Sequence, residues 1–399
     1  MGSRIRIGLI LQGSLGWVGG AEYCKNLLKA LYRLPRSIQQ TFELVPLATE
    51  ADLSLYEDMP ARFSRELRAL STNTRTLWQR LVRYLTRSPR RTNNNRFLAS
   101  VEDSGINFLY PYNPQPADSL QLPAAAWIPD FQHKSLPHFF TEQELRQRDT
   151  DYERIARMTS CLVLSSKSVA MDFQKYYPRH QHKSTLLPFR TVVDDTWFTR
   201  DPVEQLQRHR LPERYFLVAN QFWQHKNHGV VFEALGILRQ LGICPALVCT
   251  GHLADYRRTE YVEQCRESLR NLGIGDQVHL LGVIPRSEQI QLIRQSVAVI
   301  QPSLFEGWSS VVEDCRSLGK PVALSEIPVH REQDPPGAVF FSPASAQELA
   351  ATLKAWWGDF PHGPQGDREE TARGDNEALT ATFATRFLQI AHSTVHEAA

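Results

Sequence analysis

The chain lacks the marks of several protein classes. Its six cysteines among 399 residues stand at 24, 161, 244, 249, 265 and 315, without a C-x-x-C pair or a histidine at zinc spacing, so neither a disulfide scaffold nor a zinc module is expected. The thirteen histidines are scattered, and no H-E-x-x-H or cluster of carboxylates at fixed spacing occurs. No structural or catalytic metal is expected. Charge of one sign is scarce: 45 Lys and Arg against 43 Asp and Glu leave a formal +2, which gives no global signal for nucleic acid. No run approaches the ~18 to 20 apolar residues of a bilayer span. The apolar N-terminal stretch continues into a Gly-rich loop and a helical pattern without a cleavage site, and reads as a first strand of a cytoplasmic protein. What remains, at 42% hydrophobic and 22% charged, is the composition of a globular protein of two to three domains.

Short β-branched and aromatic runs alternate with helical periodicity, the pattern of parallel sheets built from βαβ units. One series holds RIRIGLIL (4 to 11), FELVPLA (42 to 48), INFLY (106 to 110), AAAWI (124 to 128), CLVLSS (161 to 166) and STLLPF (184 to 189). The second holds YFLVAN (215 to 220), ALVCTG (246 to 251), VHLLG (278 to 282), VAVIQPS (297 to 303), PVALS (321 to 325) and AVFFS (338 to 342). In VVFEALGILRQL, apolar positions 230, 231, 234, 235, 238 and 241 share one helical face, expected to lie on a sheet. The Asp-, Pro- and charge-bearing stretch from Val192 to Pro212 divides the series. The expectation is two Rossmann-like domains: 1–195 with a basic insertion near 60–97, and 210–375. A loop over 358 to 377 precedes a C-terminal helix over 376–399 that packs back toward the first domain. Within 62 to 96, ten Arg stand against one acid, Glu66, and Leu77, Trp78, Leu81, Val82 and Leu85 fall at helical spacing. That pattern fits a core-docked helix with a solvated Arg face, and it also fits a face for a membrane surface or an anionic acceptor.

Four segments carry chemistry. GSLGWVGGAE (13 to 22) follows a strand and opens a helix, so its glycines admit close approach of an anion or sugar to backbone N–H groups; a tight turn without a ligand has the same pattern. A dinucleotide fingerprint is missing there, because the glycines are not spaced G-x-G-x-x-G and the second strand ends apolar. WIPDFQHKSLPHFF (127 to 140) puts Asp130 and His133 just beyond a strand, where open α/β sheets bind ligands. In ANQFWQHKNHGV (219 to 230), Lys226 stands near a helix N-terminus, an arrangement suited to phosphate or to plain solvation. In QPSLFEGWSSVVEDCRSLGKP (301 to 321), strand, Glu306, Gly307 and a polar turn lead into an amphipathic helix. Residues 307 to 310 offer backbone N–H groups, Glu306 accepts from polyol hydroxyls, and Asp314 lies eight residues on. Both acids also suit the positive end of a helix on their own account.

The segment SLFEGWSSVVEDCRSLGKPV resembles the Glu, seven residues, Glu signature of retaining glycosyltransferases of family 4, also called group 1, with its trailing Gly-Lys-Pro. VGGAE, the His133 loop, NQFWQHKNH, VCTG at 248 to 251 and LLGVIPRSEQI at 280 to 290 follow that family's order. The resemblance implies a GT-B fold, with two Rossmann-like domains facing a cleft. It implies a metal-independent, retaining hexosyltransferase that uses a nucleoside-diphosphate sugar as donor, needs no cofactor, and acts on a glycan or lipid-linked acceptor in polysaccharide or envelope glycoconjugate synthesis. Lys226 would bind the donor diphosphate and Glu306 a hydroxyl of the sugar. Gly307, Trp308, Ser309 and Ser310 would add contacts there, and Asp314 would take the ribose. Val283 and Ile284 would border the base, Gly19 and Gly20 would face the diphosphate, and His133 would approach the anomeric carbon from the first domain.

Two departures from that pattern stand out. Gln221 replaces the family's usual Arg, and Asp314 replaces the second Glu, with Glu313 beside it as a less suited stand-in; Arg331 is a candidate for the missing charge. A non-catalytic sugar-nucleotide-binding regulator, or an epimerase or hydrolase on the same fold, would keep the same donor residues. The base, sugar, acceptor, linkage and oligomeric state are not encoded in these motifs.

Overall fold

The computed structural model describes residues 4–13, 18–47, 104–115 and 120–398, and the single positions 55, 56, 59, 63, 101 and 118. The Arg-rich insertion with its two readings, apart from Phe63, lies outside the described residues. The chain forms two compact units: residues 1–131, 146–190 and 379–399, and residues 132–145 and 191–378.

In the first unit, β1 (Ile5–Ile10) pairs in parallel with β2 (Phe42–Leu47) on one side and β3 (Phe108–Tyr110) on the other. A second parallel set runs β4 (Ala125–Ile128), β5 (Cys161–Leu164), β6 (Ser184–Leu186), and a single bridge between Leu109 and Ala124 joins the two sets. These are the six strands read from the sequence, each trimmed by one to three residues. Helix Val18–Arg33 inserts Tyr23, Leu27 and Leu31 into the core, where Tyr23 stacks on Trp127 at 4.2 Å and its hydroxyl bonds that of Tyr110. Ser166 starts helix Lys167–Tyr176 by accepting the Val169 N–H at 3.0 Å.

The last helix begins earlier than its polar sequence suggests, at Gly366, and runs without a break to Ala398. The stretch 366 to 377 lacks apolar periodicity, yet Glu369 is tied to Arg294 at 2.8 and 3.0 Å and Asn376 is buried on the Thr191 carbonyl, so tertiary contacts hold a helix that propensity alone would not. Its second part belongs to the first unit, as expected: Phe387 meets Phe108 and Tyr110, and Phe383 meets Tyr23.

The second unit is one six-stranded parallel sheet in the order β12-β11-β10-β7-β8-β9. Its strands are β7 (Tyr215–Ala219), β8 (Ala246–Thr250), β9 (Val278–Gly282), β10 (Val299–Gln301), β11 (Val322–Ser325) and β12 (Ala338–Phe341). β7, β10 and β11 are buried on both faces, which is why they read as unbroken apolar runs rather than alternating ones. Helix His228–Gln240 packs Val231, Leu235 and Leu238 into one core with Phe216, Val218 and Leu247, while Leu241 falls past its end and is exposed. The opposite face is closed by Ile290 and Ile293 of helix Arg286–Gln295 and by Val311, Val312 and Cys315 of helix Ser310–Ser317.

The stretch from Val192 to Pro212 lies within the second unit, which resumes at Thr191, and it is not a loose linker. Trp197 and Leu206 join the second core, and the Trp197 carbonyl accepts from Gln291 at 2.9 Å and Arg294 at 2.7 Å. Together the order and the all-parallel pairing place the loops after β7, β8, β9 and β10 along one edge of the sheet, the edge where such sheets receive ligands.

Candidate functional site

Four segments of the second unit meet at that edge. From β7 the chain turns at Asn220, whose side-chain amide donates to Gln301 Oε1 at 2.8 Å across to β10. A single 3₁₀ turn, Gln224–Lys226, follows, and Asn227 takes a left-handed conformation (φ 56°) while its amide donates to the carbonyls of Pro302 and Pro343. Gly251 makes this possible. At φ +121° it lies so close to the end of β7 that a Cβ there would stand 2.3 Å from the Asn220 carbonyl oxygen and 2.8 Å from the Gln221 nitrogen. The VCTG segment is thus a backbone-to-backbone fit against the start of the loop that carries Lys226.

Within that frame Lys226 Nζ sits 2.5 Å from Glu306 Oε1. The same oxygen accepts from Gln301 Nε2 at 2.9 Å and from Ser303 Oγ at 2.7 Å. All three bonds converge on Oε1, and Oε2 has no hydrogen-bond partner among the described residues. A carboxylate fixed through one oxygen keeps the lone pairs of the other for a hydroxyl donor. Both side chains are mostly covered, 14% and 11% exposed, so their attraction is weakly screened. The Ser303 carbonyl accepts from Ser325 Oγ at 2.6 Å, and Leu304 N–H donates to the His225 carbonyl at 2.8 Å, which locks the two loops together.

The turn after Glu306 is held from beneath. Ser309 caps helix Ser310–Ser317, while Gln333 accepts the Ser309 N–H at 3.1 Å and donates to the Ser309 carbonyl and to Glu313 Oε1. Of the four residues expected to contact a sugar, Ser309 therefore spends its N–H on Gln333. Trp308 and Ser309 are buried, and Gly307 and Ser310 remain half-buried.

Asp314 is wholly buried. Arg286 grips it with both terminal nitrogens, at 2.6 and 2.5 Å, and Thr191 Oγ1 donates to Oδ1 at 2.8 Å. Its carboxylate faces Arg286 and the chain entering the unit, and Glu313 is committed to Gln333. Arg286 opens helix Arg286–Gln295 just beyond β9 within LLGVIPRSEQI, and only the neighbouring helix that carries Asp314 reveals its role as a clamp. Val283 is 70% exposed and Ile284 half-buried just after β9, an open margin beside the site.

His225, His228 and His330 are buried close by, and burial, reinforced by Lys226, pushes each below its ordinary value: His228 to about 3, His330 to about 4. They are neutral packing groups; His228 stacks on Phe222 at 4.0 Å. Among the described residues no group of three or more His, Cys, Asp or Glu is placed to hold a metal ion.

The other expected residues are placed differently. His133 is buried on the short helix Gln132–Ser135, and the segment 132–145 belongs to the second unit rather than the first. Arg257 meets it there, donating to Gln132 Oε1 at 3.2 Å and lying over the Phe140 ring at 5.0 Å. Gly19 and Gly20 open helix Val18–Arg33 in the first unit, the former exposed and the latter buried. Asp130 is half-buried in the first unit. Gln221 is half-buried at the end of β7, and Arg331 pairs with Glu326 at 2.5 Å over the Phe340 ring.

Solved structures share this fold. The Anabaena protein HepE, solved in complex with UDP, is 15% identical with a TM-score of 0.63, over 98% of this chain and 100% of that one. Sucrose-phosphate synthase of Thermosynechococcus elongatus is 14% identical with a TM-score of 0.63, over 99% and 100%. In sequence, the O-antigen chain mannosyltransferase RfbU of Salmonella typhimurium is 25% identical over 143 residues, 36% of this chain and 38% of that protein, so the match spans less than two-fifths of that relative. The chain has the parallel-sheet α/β fold of GT-B glycosyltransferase structures, and its residues 201–361, which hold the Lys226–Glu306 pair, match the family of glycosyl transferases group 1.

Proposed function

We propose that this protein is a glycosyltransferase that moves a hexosyl unit from a nucleoside-diphosphate sugar to a hydroxyl of a glycan or lipid-linked acceptor, with retention of anomeric configuration. The observation that carries the reading is the Lys226–Glu306 pair, a cation and a one-sidedly held carboxylate at the ligand edge of the second sheet. It lies inside the segment that matches the glycosyl transferases.

In this reading the donor diphosphate draws the Lys226 ammonium, and a sugar hydroxyl donates to Glu306 Oε2. As the bond from the anomeric carbon to the diphosphate oxygen breaks, negative charge grows on the leaving group, and Lys226 stabilises it electrostatically. The acceptor hydroxyl attacks the anomeric carbon on the same face, and its proton passes to the departing phosphate oxygen. No enzyme nucleophile is required. Two similar proteins support the class of reaction: RfbU is named a mannosyltransferase and HepE was solved with UDP. Polysaccharide or envelope glycoconjugate assembly is the context this suggests, with action in the cytoplasm and the Arg-rich insertion as a contact for the acceptor or a membrane surface.

The test is ligand-observed binding across UDP-, GDP- and ADP-sugars for the wild type and Lys226→Ala, followed by product analysis with and without acceptors. Selective binding that is lost in the variant, and a transferred sugar of unchanged anomeric configuration, is the expected result. Binding without any turnover across acceptors would favour a sugar-nucleotide-binding regulator, and release of free sugar or an epimer without acceptor would favour a hydrolase or epimerase. No binding by the folded wild type would overturn the reading.

A further inference from the structure

Lys226 alone is a weak receptor for a diphosphate, because its ammonium is already neutralised by Glu306 at 2.5 Å. A group with about two negative charges calls for more positive charge than that pair supplies. Gln221, at the end of β7, is neutral. The next loop along the same edge, after β8, carries a cation: Arg257, whose side chain is only 6% exposed.

Several features tie Arg257 to the Lys226 turn. Its Nη2 lies 3.2 Å from His225 Nδ1, the residue before Lys226. Its guanidinium carbon stands 5.2 Å from the Trp223 ring and 5.0 Å from that of Phe140, so aromatic faces cover the cation on two sides. Nε is buried without a hydrogen bond, with the Asp255 carboxylate 3.6 Å away. That carboxylate is the counter-charge of Arg257, at a longer distance than the 2.5 Å between Glu306 and Lys226, and it also accepts two backbone N–H groups, Gln224 at 2.9 Å on one oxygen and Arg257 at 3.0 Å on the other. Asp255 therefore holds the 3₁₀ turn as much as it balances the guanidinium. His225 is neutral, as its burial between Lys226 and Arg257 requires, and so serves as an acceptor for Arg257.

We propose that Arg257 supplies the second positive charge for the anion received at the Lys226 turn, delivered from the loop after β8 in place of a cation at position 221. This rests on the donor-site reading above. The ligand chemistry is a diphosphate, whether free or within a nucleotide sugar, and Arg257 acts on it either by direct contact or by field through His225 and Trp223.

The experiment titrates inorganic pyrophosphate and the tightest nucleotide sugar of the panel against wild type, R257Q, R257K, Q221R and the double variant Q221R/R257Q, each checked by thermal unfolding. R257Q is expected to weaken both ligands about 10-fold or more, with R257K within about 3-fold of wild type and a shallower salt dependence in R257Q. Q221R in the R257Q background is expected to restore binding, which a merely structural role for Arg257 would not allow. A folded R257Q that binds like wild type, or a folded double variant without recovery, overturns the proposal while leaving the donor site standing. Arginine Nε–H resonances give a readout without any loss of fold: the Arg257 signal of the wild type, assigned by its disappearance in R257K, is expected to shift on adding pyrophosphate, and an unmoved signal at saturation overturns the proposal. A wild type that binds neither ligand overturns both readings.

Discussion

Glu306 is held by three bonds to a single oxygen, and the closest of them is Lys226 Nζ at 2.5 Å, reaching over from the strand next to its own. The two residues are eighty positions apart in the chain, so the pair exists only because β7 and β10 are neighbours in the sheet. In the proposed reaction that asymmetry separates two roles, charge toward a leaving group and hydrogen bonding toward a sugar.

The separation has a kinetic consequence. Glu306→Gln keeps the size of the side chain and removes its charge, so Lys226 is released from its partner and free nucleoside diphosphate is expected to bind at least as well as before. Turnover is expected to fall about 100-fold or more, the scale of losing one preorganised contact to the reacting group. Lys226→Ala is expected to lose both. Isothermal titration with the nucleoside diphosphate beside initial rates with the nucleotide sugar checks the split, and equal loss of both properties in Glu306→Gln would contradict it.

Asp314 is expected to behave as a clamp. Removing its carboxylate in Asp314→Ala leaves Arg286 without its bidentate partner and Thr191 without an acceptor, a loss on the order of 3 kcal/mol or more in unfolding free energy. Arg286→Met should cost a comparable amount, and the double variant less than the sum of the two. Denaturant unfolding of the cycle measures this; additive, small effects would mean that the pair carries little.

Two glycines with positive φ distinguish strain from collision. Gly251→Ala would force a Cβ into the Asn220 carbonyl, so a loss above about 2 kcal/mol in stability and a weakened anion site are expected together. Gly242, at φ +75°, has nothing within 4 Å of where a Cβ would stand, and Gly242→Ala is expected to cost only the ~1 kcal/mol of left-handed strain, with ligand binding intact. Thermal melts with and without nucleotide sugar compare the two.

Buried bases set the pH response. His228 and His330 have folded values of about 3 and 4 against an ordinary 6.5, so the unfolded chain binds more protons in that window and their contribution to stability, complete above 6.5, is lost as the pH falls through it. Burial likewise pushes Lys320 down to about 7 from 10.5, with its ammonium facing the Ser296 and Gly363 carbonyls, so its share of stability rises with pH between about 7 and 10.5. Each group gives a slope of at most about 1.4 kcal/mol per pH unit. His228→Phe should flatten the acid arm and Lys320→Met the alkaline one. Urea midpoints at pH 4, 6, 7.5 and 9 test this, and unchanged slopes would refute it.

Much of the fold was legible because it depends on local pattern. The twelve strands among the described residues follow from β-branched runs, and helix Ser310–Ser317 from a polar turn ahead of an apolar face. Two features were hidden for a common reason. The helix start at Gly366 and the membership of segment 132–145 in the second unit go with partners far away in sequence, Arg294 and Thr191 in one case and Arg257 in the other. No local periodicity encodes such partners.

The same division runs through the site. Residue types and spacing alone determined that a lysine and a glutamate would each stand at a strand-to-helix turn on a parallel sheet, since backbone geometry at such turns is set within a few residues. Only the tertiary structure decided that Glu306 keeps one oxygen unbonded among the described residues, that Asp314 faces Arg286, and that Arg257 stands beside the Lys226 turn. Those outcomes depend on which strands become neighbours and on which charge reaches which carboxylate first, quantities that arise when long-range packing brings separate loops to one edge.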